Sequence, residues 1–196
     1  MGSLHTPPLS GLVRGLQRKH ELQTFVETGT YLGGSTEFAA GVFPRVVTIE
    51  INPQYHEVAA ARLQPFASVT CRLGDSRTEL PQVVSALEGP ALFWLDGHAG
   101  VGQYGDTDDC PLIEELAAIA ASPFEHFVLI DDARAFLAPP PPPFDPDRWP
   151  ELAEVLSTIR QRTAYYCVVI GGVMICAPPA ARADIRHYCN LVRPKI

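Results

Sequence analysis

Along the chain, short blocks of consecutive apolar residues alternate with longer stretches in which apolar positions recur every three or four residues. The blocks are TFVET (24–28), RVVTIEI (45–51), SVTCRL (68–73), ALFWL (91–95) and HFVLI (126–130). They are too short for helices, rich in β-branched and aromatic residues, and apolar at successive positions, as strands covered on both faces must be. The stretches between them predict helices over 35–43, from Pro53 through QYHEVAAARL, from about Pro81 to 88, and over 111–121. Ser35 or Thr36 is the expected cap of the first of these. An amphipathic segment, SGLVRGLQRKHEL (10–22), precedes the first strand, with Leu12, Val13 and Leu16 on its inner face. Strand–helix alternation of this kind implies right-handed βαβ units and a parallel sheet.

After the fifth block the rhythm changes. APPPPPFDPDRWP (138–150) holds five consecutive prolines. It is neither helix nor central strand, and reads as a stiff polyproline connector, or as a lid that turns Phe144 or Trp149 toward a ligand. Pro150 opens a further helix, and YYCVVI-GG-VMICA then reads as two strands about a Gly-Gly turn. In that hairpin Cys167 faces Cys176. The expected fold is α/β, a doubly wound, mostly parallel seven-stranded sheet ending in an antiparallel β-hairpin, with 1–196 forming one domain.

Composition narrows the function. A net charge of −7 argues against a nucleic-acid partner, and no run approaches the ~18 apolar residues of a membrane span. The N-terminus lacks the pattern of a secretory signal, so a cytoplasmic location and reduced thiols are expected for the five cysteines. The N-terminal segment and the final RHYCNLVRPKI are candidates for a homodimer contact.

The turn after the first strand, VETGTYLGGST (26–36), has glycines at 29, 33 and 34 but neither the G-x-G-x-x-G spacing nor a Gly-Lys-Ser/Thr ending. Glu27 at its entrance would repel a pyrophosphate and suit a cation. Glu50 closes the second strand 21 residues after Gly29, where a carboxylate accepts hydrogen bonds from ribose hydroxyls. A ligand with a ribose and a cationic tail but no phosphate satisfies both acids, and S-adenosylmethionine is such a ligand.

The order E-x-G-x-x-x-G-x-S-T, then IE, then GDS resembles the class I S-adenosylmethionine-dependent methyltransferases over nearly the whole chain, hairpin included. The resemblance implies a Rossmann-like methyltransferase fold in which Glu27 and the turn (Gly29, Tyr31, Gly33, Ser35) hold the methionine moiety. It implies that Glu50 holds the ribose, with Asp75 and Ser76 beside the adenine.

Strands four and five both end in acids, Asp96 in FWLDGHAG and Asp131-Asp132 in FVLIDDAR. Neighbouring parallel strands bring such ends together, and three carboxylates at one rim repel unless a hard divalent cation takes their oxygens. The placement also resembles the metal-dependent small-molecule O-methyltransferases of the catechol and macrocin types. That resemblance implies Asp96, Asp131 and Asp132 as ligands of Mg²⁺ or Mn²⁺, with Asp96 also facing the donor. His98 departs from those types. It is a general base, a further ligand, which would favour Zn or Fe, or a histidine hydrogen-bonded within its loop. Asp108, Asp109 and Cys110 are further candidate ligands, with Asp109 the expected cap of the helix at Pro111.

The leading expectation is methyl transfer to a hydroxyl of a small molecule, a sugar or natural product. The alternatives are a metal-independent N- or carboxyl-methyltransferase with His98 as base, a non-catalytic S-adenosylmethionine-binding module, and a dinucleotide-binding dehydrogenase-like fold.

Overall fold

The computed structural model describes residues 4–98, 110–140, 145–161 and 164–192. The five apolar blocks form β1 (Thr24–Thr28), β2 (Arg45–Glu50), β3 (Val69–Leu73), β4 (Ala91–Leu95) and β5 (Phe127–Ile130), and the terminal pair forms β6 (Tyr166–Ile170) and β7 (Val173–Ala177). They make one seven-stranded sheet in the order β3-β2-β1-β4-β5-β7-β6. Strands β1 to β5 are parallel, and β7 runs antiparallel to both β5 and β6. The expected architecture is therefore the observed one.

Both faces of the sheet are covered, which is why the strands are apolar at successive positions. In β4, Phe93 and Leu95 enter one core with Val26, Val128 and Leu116. Leu92 and Trp94 point the other way, into a second core with Phe25, Leu129 and Leu16. The first core is roofed by α4 (Ser76–Ser85), α5 (Leu112–Ala120) and α6 (Leu152–Ile159), and the second by α1 (Leu9–Lys19) and α7 (Arg182–Val192). Between β1 and β3 the chain also forms α2 (Gly34–Ala40) and α3 (Pro53–Leu63).

Two local expectations need correction. Helix α4 starts at Ser76 rather than near Pro81, because Asp75 caps it by accepting from the Arg77 amide at 2.9 Å. Pro81 is carried inside the helix, where it forgoes only the bond it would have given Arg77. Helix α2 starts at Gly34, capped by Gly33 rather than by Ser35 or Thr36. Helix α7 was not anticipated at all, although Ile185, Tyr188 and Cys189 lie on its buried stripe. It packs against α1, with Lys19 Nζ 2.7 Å from Asp184 Oδ1, so the two segments singled out for dimer contact lie against each other. No helix among the described residues is long and apolar enough to cross a membrane.

The sheet order reverses direction at β1, which has β2 on one side and β4 on the other. In open parallel sheets the crevice at such a point, outside the carboxyl ends of the strands, is where ligands bind. Thr28-Gly29 and Leu95-Asp96 meet there, with the Asp96 amide donating to the Thr28 carbonyl at 3.0 Å.

Candidate active site

The turn after β1 is pressed against the end of β4. Gly29 has φ +80°, and a Cβ built on it would lie 2.1 Å from the Asp96 carbonyl oxygen. Only glycine fits, on both conformational and steric grounds. Gly29→Ala is expected to destabilise the chain by ~3 kcal/mol or more, since one of two backbone segments must move; a depressed denaturation midpoint checks it. From this turn the Tyr31 amide, itself at φ +48°, reaches Glu50.

Glu50 is gripped from two sides. Its Oε2 accepts from the Tyr31 amide at 2.8 Å and its Oε1 from the Asn52 amide at 2.9 Å. Each carboxylate oxygen has two acceptor positions, so one on each remains for a pair of hydroxyls. Leu73 stands opposite Glu50 on β3, and Ile51 follows it in the chain. Tyr31, Ile51 and Leu73 are all exposed, which leaves apolar surface beside this carboxylate at the open edge.

Glu27 is buried on β1. Its Oε2 accepts from the Thr36 hydroxyl, at the start of α2, and from the Thr48 hydroxyl at 2.7 Å. Thr48 spends its one proton on Glu27, so Thr30 must donate to Thr48 in turn. Burial is the main cause that pushes the Glu27 pKa up to about 8. The two threonine bonds pull against it, and the nearby charges of Asp96 and Glu50 add to the rise. A buried acid protonated at neutral pH, near the carboxyl end of β1, is poised to ionise if a cation comes against it.

At the rim, the structure groups Asp96, His98 and Asp132: one ligand atom from each lies within 4.8 Å of the others. The expected trio was Asp96, Asp131 and Asp132. Asp131 stays outside the group because it continues the β ladder, its amide donating to the Leu95 carbonyl at 3.0 Å. Its side chain is buried, with Oδ1 accepting from the Asp132 amide at 2.8 Å. Asp132 then takes φ +45° and turns out of the strand.

His98 fills the vacated place. Its Nε2 lies 3.9 Å from Asp132 Oδ2, an ion-pair rather than a hydrogen-bond distance, and it is a buried nitrogen with no hydrogen-bond partner. Burial works to lower the His98 pKa, but Asp132 and Asp96 outweigh it and leave it raised. Burial, with Asp131 and Asp132 adding and His98 opposing, pushes Asp96 up to about 7. The Phe136 and Trp149 rings pack edge-on to the imidazole, at 5.7 and 5.6 Å. The last residues of the proline-rich segment therefore lie against the site, whereas Phe144, Asp108 and Asp109 fall outside the described residues.

Asp75 and Ser76 lie at the end of β3, but both are engaged locally. Asp75 caps α4 and reaches the Arg77 guanidinium at 3.3 Å. Ser76 is buried and turned toward Glu115. Glu115 was overlooked in the sequence, as were Thr36 and Thr48. It sits on the buried face of α5 with Leu112, Leu116 and Ile119. Burial raises its pKa, with Ser76, Thr28 and His98 opposing. A carboxylate in the apolar stripe of a helix was the readable signal.

A two-atom grip on Glu50, a buried acid at the end of β1 and an acid–imidazole–acid group thus stand at the carboxyl ends of neighbouring strands. No protein-family model and no curated protein matches the chain by sequence. Solved structures do match by shape. The O-methyltransferase TomG from Streptomyces achromogenes, in complex with S-adenosylmethionine, superposes with a TM-score of 0.56 at 19% identity over 88% of this chain and 81% of that one. An O-methyltransferase from Bacillus cereus, in complex with S-adenosylhomocysteine, gives 0.56 at 17% identity over 88% and 82%. The methyltransferase PaMTH1 from Podospora anserina gives 0.57 at 14% over 88% and 79%. The fold is that of the S-adenosylmethionine-dependent methyltransferases. Within that fold, the crevice beside β1 and β4 in this chain carries the acids just described.

Proposed function

We propose that this chain is an O-methyltransferase that moves the methyl group of S-adenosylmethionine to a hydroxyl of a small molecule, at a rim where Asp96, His98 and Asp132 hold a divalent metal. The observation that carries this reading is the meeting of two half-sites on Asp96. Its backbone meets the end of β1 at Thr28 and Gly29, and its carboxylate groups with His98 and Asp132 within 4.8 Å.

On the donor side, the two unused acceptor positions of Glu50 suit the ribose hydroxyls, and the exposed Ile51, Tyr31 and Leu73 offer apolar cover to the adenine. Glu27 faces the amino group of the methionine moiety; ionised by that cation, it replaces the water the cation loses on entry. Solved structures of the same fold are complexes with S-adenosylmethionine and S-adenosylhomocysteine, in support of this placement.

On the acceptor side, a divalent ion at the rim would chelate the acceptor oxygen and lower its pKa. The donor set fits such an ion: two carboxylates and an imidazole whose buried Nε2 has no hydrogen bond. An imidazole among the ligands favours Mn²⁺, Fe²⁺ or Zn²⁺ over Mg²⁺. Transfer of a methyl group from a sulfonium to an oxyanion cancels both charges, so exclusion of water favours it. Phe136 and Trp149, packed on His98, shield that side.

The ion pair of His98 with Asp132, at 3.9 Å, also favours a second reading, in which His98, in its neutral form beside Asp132, takes the acceptor proton without a metal. Calorimetry with S-adenosylmethionine, in EDTA and with each of Mg²⁺, Mn²⁺ and Zn²⁺, separates the readings. Donor binding in EDTA together with saturable Mn²⁺ or Zn²⁺ binding is expected. Donor binding without any metal binding selects the second reading, and absence of donor binding removes both.

A further inference from the structure

Away from the crevice, the terminal hairpin places two thiols against each other. Cys167 and Cys176 are direct partners in the β6–β7 ladder. Gly171 and Gly172, at φ +62° and +85°, make the two-residue turn that fixes this register. Residues 170 and 173, which flank the turn, form a hydrogen-bonded pair, and alternation outward makes 167 and 176 a non-hydrogen-bonded pair. Such pairs bring Cα atoms to about 4.5 Å with their side chains close, inside the range a disulfide spans. Both cysteines are nevertheless thiols here.

The two differ in access. Cys176 is wholly buried between β5 and β6, whereas Cys167 lies on the edge strand and is only partly covered. Cys167 lines a groove of about 350 Å³ bounded by Leu152, Leu156, Arg160, Tyr166 and Val169. A small oxidant can enter that groove; Cys176 does not line it and is fully covered.

We propose that Cys167 and Cys176 form an oxidation site, in which Cys167 reacts with a hydroperoxide in the groove and Cys176 resolves it to a disulfide that staples the edge strand. In the first step, written for hydrogen peroxide, the Cys167 sulfur attacks one peroxide oxygen, the O–O bond breaks, the thiol proton passes to the leaving oxygen, and Cys167 sulfenic acid and water form. In the second, the Cys176 sulfur displaces that hydroxyl and gives up its own proton, so a second water leaves and the S–S bond forms. The two thiols lose two electrons and two protons, and the hydroperoxide gains both. The division of labour agrees with the local chemistry. The Cys176 thiol beside Cys167, with Arg160 nearby, holds the Cys167 thiol below its usual range against burial. The same contact and burial push Cys176 up. A low-pKa, reachable thiol attacks, and a buried neighbour resolves.

The test is peptide mapping of the full chain after mild hydrogen peroxide, with dimedone present to trap sulfenic acid. Cleavage at arginine releases 163–182 with both cysteines in one peptide. In the wild type this peptide is expected two hydrogens lighter, free of dimedone, and restored by reductant. In Cys176→Ala, Cys167 is expected to accumulate the dimedone adduct instead. Cys167→Ser, a change at the partly exposed position, is expected to leave Cys176 unmodified and reduced. The proposal fails if the wild-type peptide keeps two alkylatable thiols while Cys71 oxidises, or if Cys176 is modified in the Cys167→Ser chain.

Discussion

Replacing Glu27 with Gln is expected to weaken S-adenosylmethionine binding and to stabilise the protein at the same time. The amide keeps the oxygen that accepts from Thr36 and Thr48, so the packing around it survives. What it removes is the ability to ionise against the donor's ammonium. Loss of one charged hydrogen-bonding partner of that kind costs roughly 1.5–3 kcal/mol, or about a tenfold to hundredfold rise in Kd. Stability moves the other way. In the native chain the carboxyl keeps its proton to about pH 8, whereas in the unfolded chain it ionises near its ordinary value of 4.5. The native state therefore binds more protons across that window, and its stability declines as pH rises through it. At pH 7 the accumulated loss is on the order of 3 kcal/mol. The Gln variant has no such decline, so its melting temperature exceeds that of the wild type at pH 7–8 and converges with it near pH 4. Donor binding to the wild type at pH 7 should also release a proton, visible as a dependence of the calorimetric enthalpy on the buffer. A variant that binds as tightly as the wild type, or that loses stability at pH 8, would remove Glu27 from the donor site.

This pair of opposed effects explains why the acid could be found from the chain alone while its surroundings could not. Glu27 interrupts an apolar block, and a carboxylate placed there costs too much to be incidental. Glu50 and Asp96 stand out for the same reason, at the ends of β2 and β4. The sheet was legible because its central strands, covered on both faces, are apolar at most successive positions, and the Gly-Gly turn fixed the hairpin register down to Cys167 opposite Cys176. The threonines that hold Glu27 gave no such sign. Thr36 and Thr48 are ordinary in a helix start and a strand, and only the packing of α2 and β2 around β1 turns them inward. Glu115 was legible in principle, since it breaks the apolar stripe of α5.

At the rim, spacing alone does not separate the two acids. Two adjacent acids after β5 look like two ligands, yet successive residues of a strand point to opposite faces. Asp131 is still hydrogen-bonded as strand, to Leu95, and only the left-handed turn at Asp132 releases the next carboxylate toward Asp96. The start of α4 is a second such place, because a proline is a natural helix opener, yet Asp75 caps the helix and Pro81 lies inside it.

Asp132→Asn is the substitution with which the metal stands or falls. Asparagine tolerates the left-handed conformation that residue 132 adopts, so the change removes a charge without straining the turn. The neighbouring Asp131 keeps its bond to the backbone amide at 132, which asparagine also has. With one of the two proposed carboxylate ligands gone, metal affinity and methyl transfer to any hydroxyl acceptor should each fall by about a hundredfold or more. Donor affinity should stay near the wild-type value, because Glu27 and Glu50 are untouched. The metal-free stability should also respond. Asp132 is held below its usual carboxylate range, chiefly by His98, so it contributes stability present above its ordinary pKa of 3.8 and lost as pH falls through the lower native value. His98 is held above its ordinary 6.5 in part by Asp132, so its contribution is present below 6.5 and lost as pH rises through the native value. The variant should lose both, and its melting temperature should drop most between about pH 4 and 6.5, where both groups are charged. Added Mn²⁺ should raise the melting temperature of the wild type at pH 8, where Asp96 has given up its proton, and leave that of the variant unchanged. A hundredfold loss of turnover with no metal-dependent shift in either protein would instead assign Asp132 to pairing with His98 as a base, and undiminished turnover in EDTA would confirm that assignment.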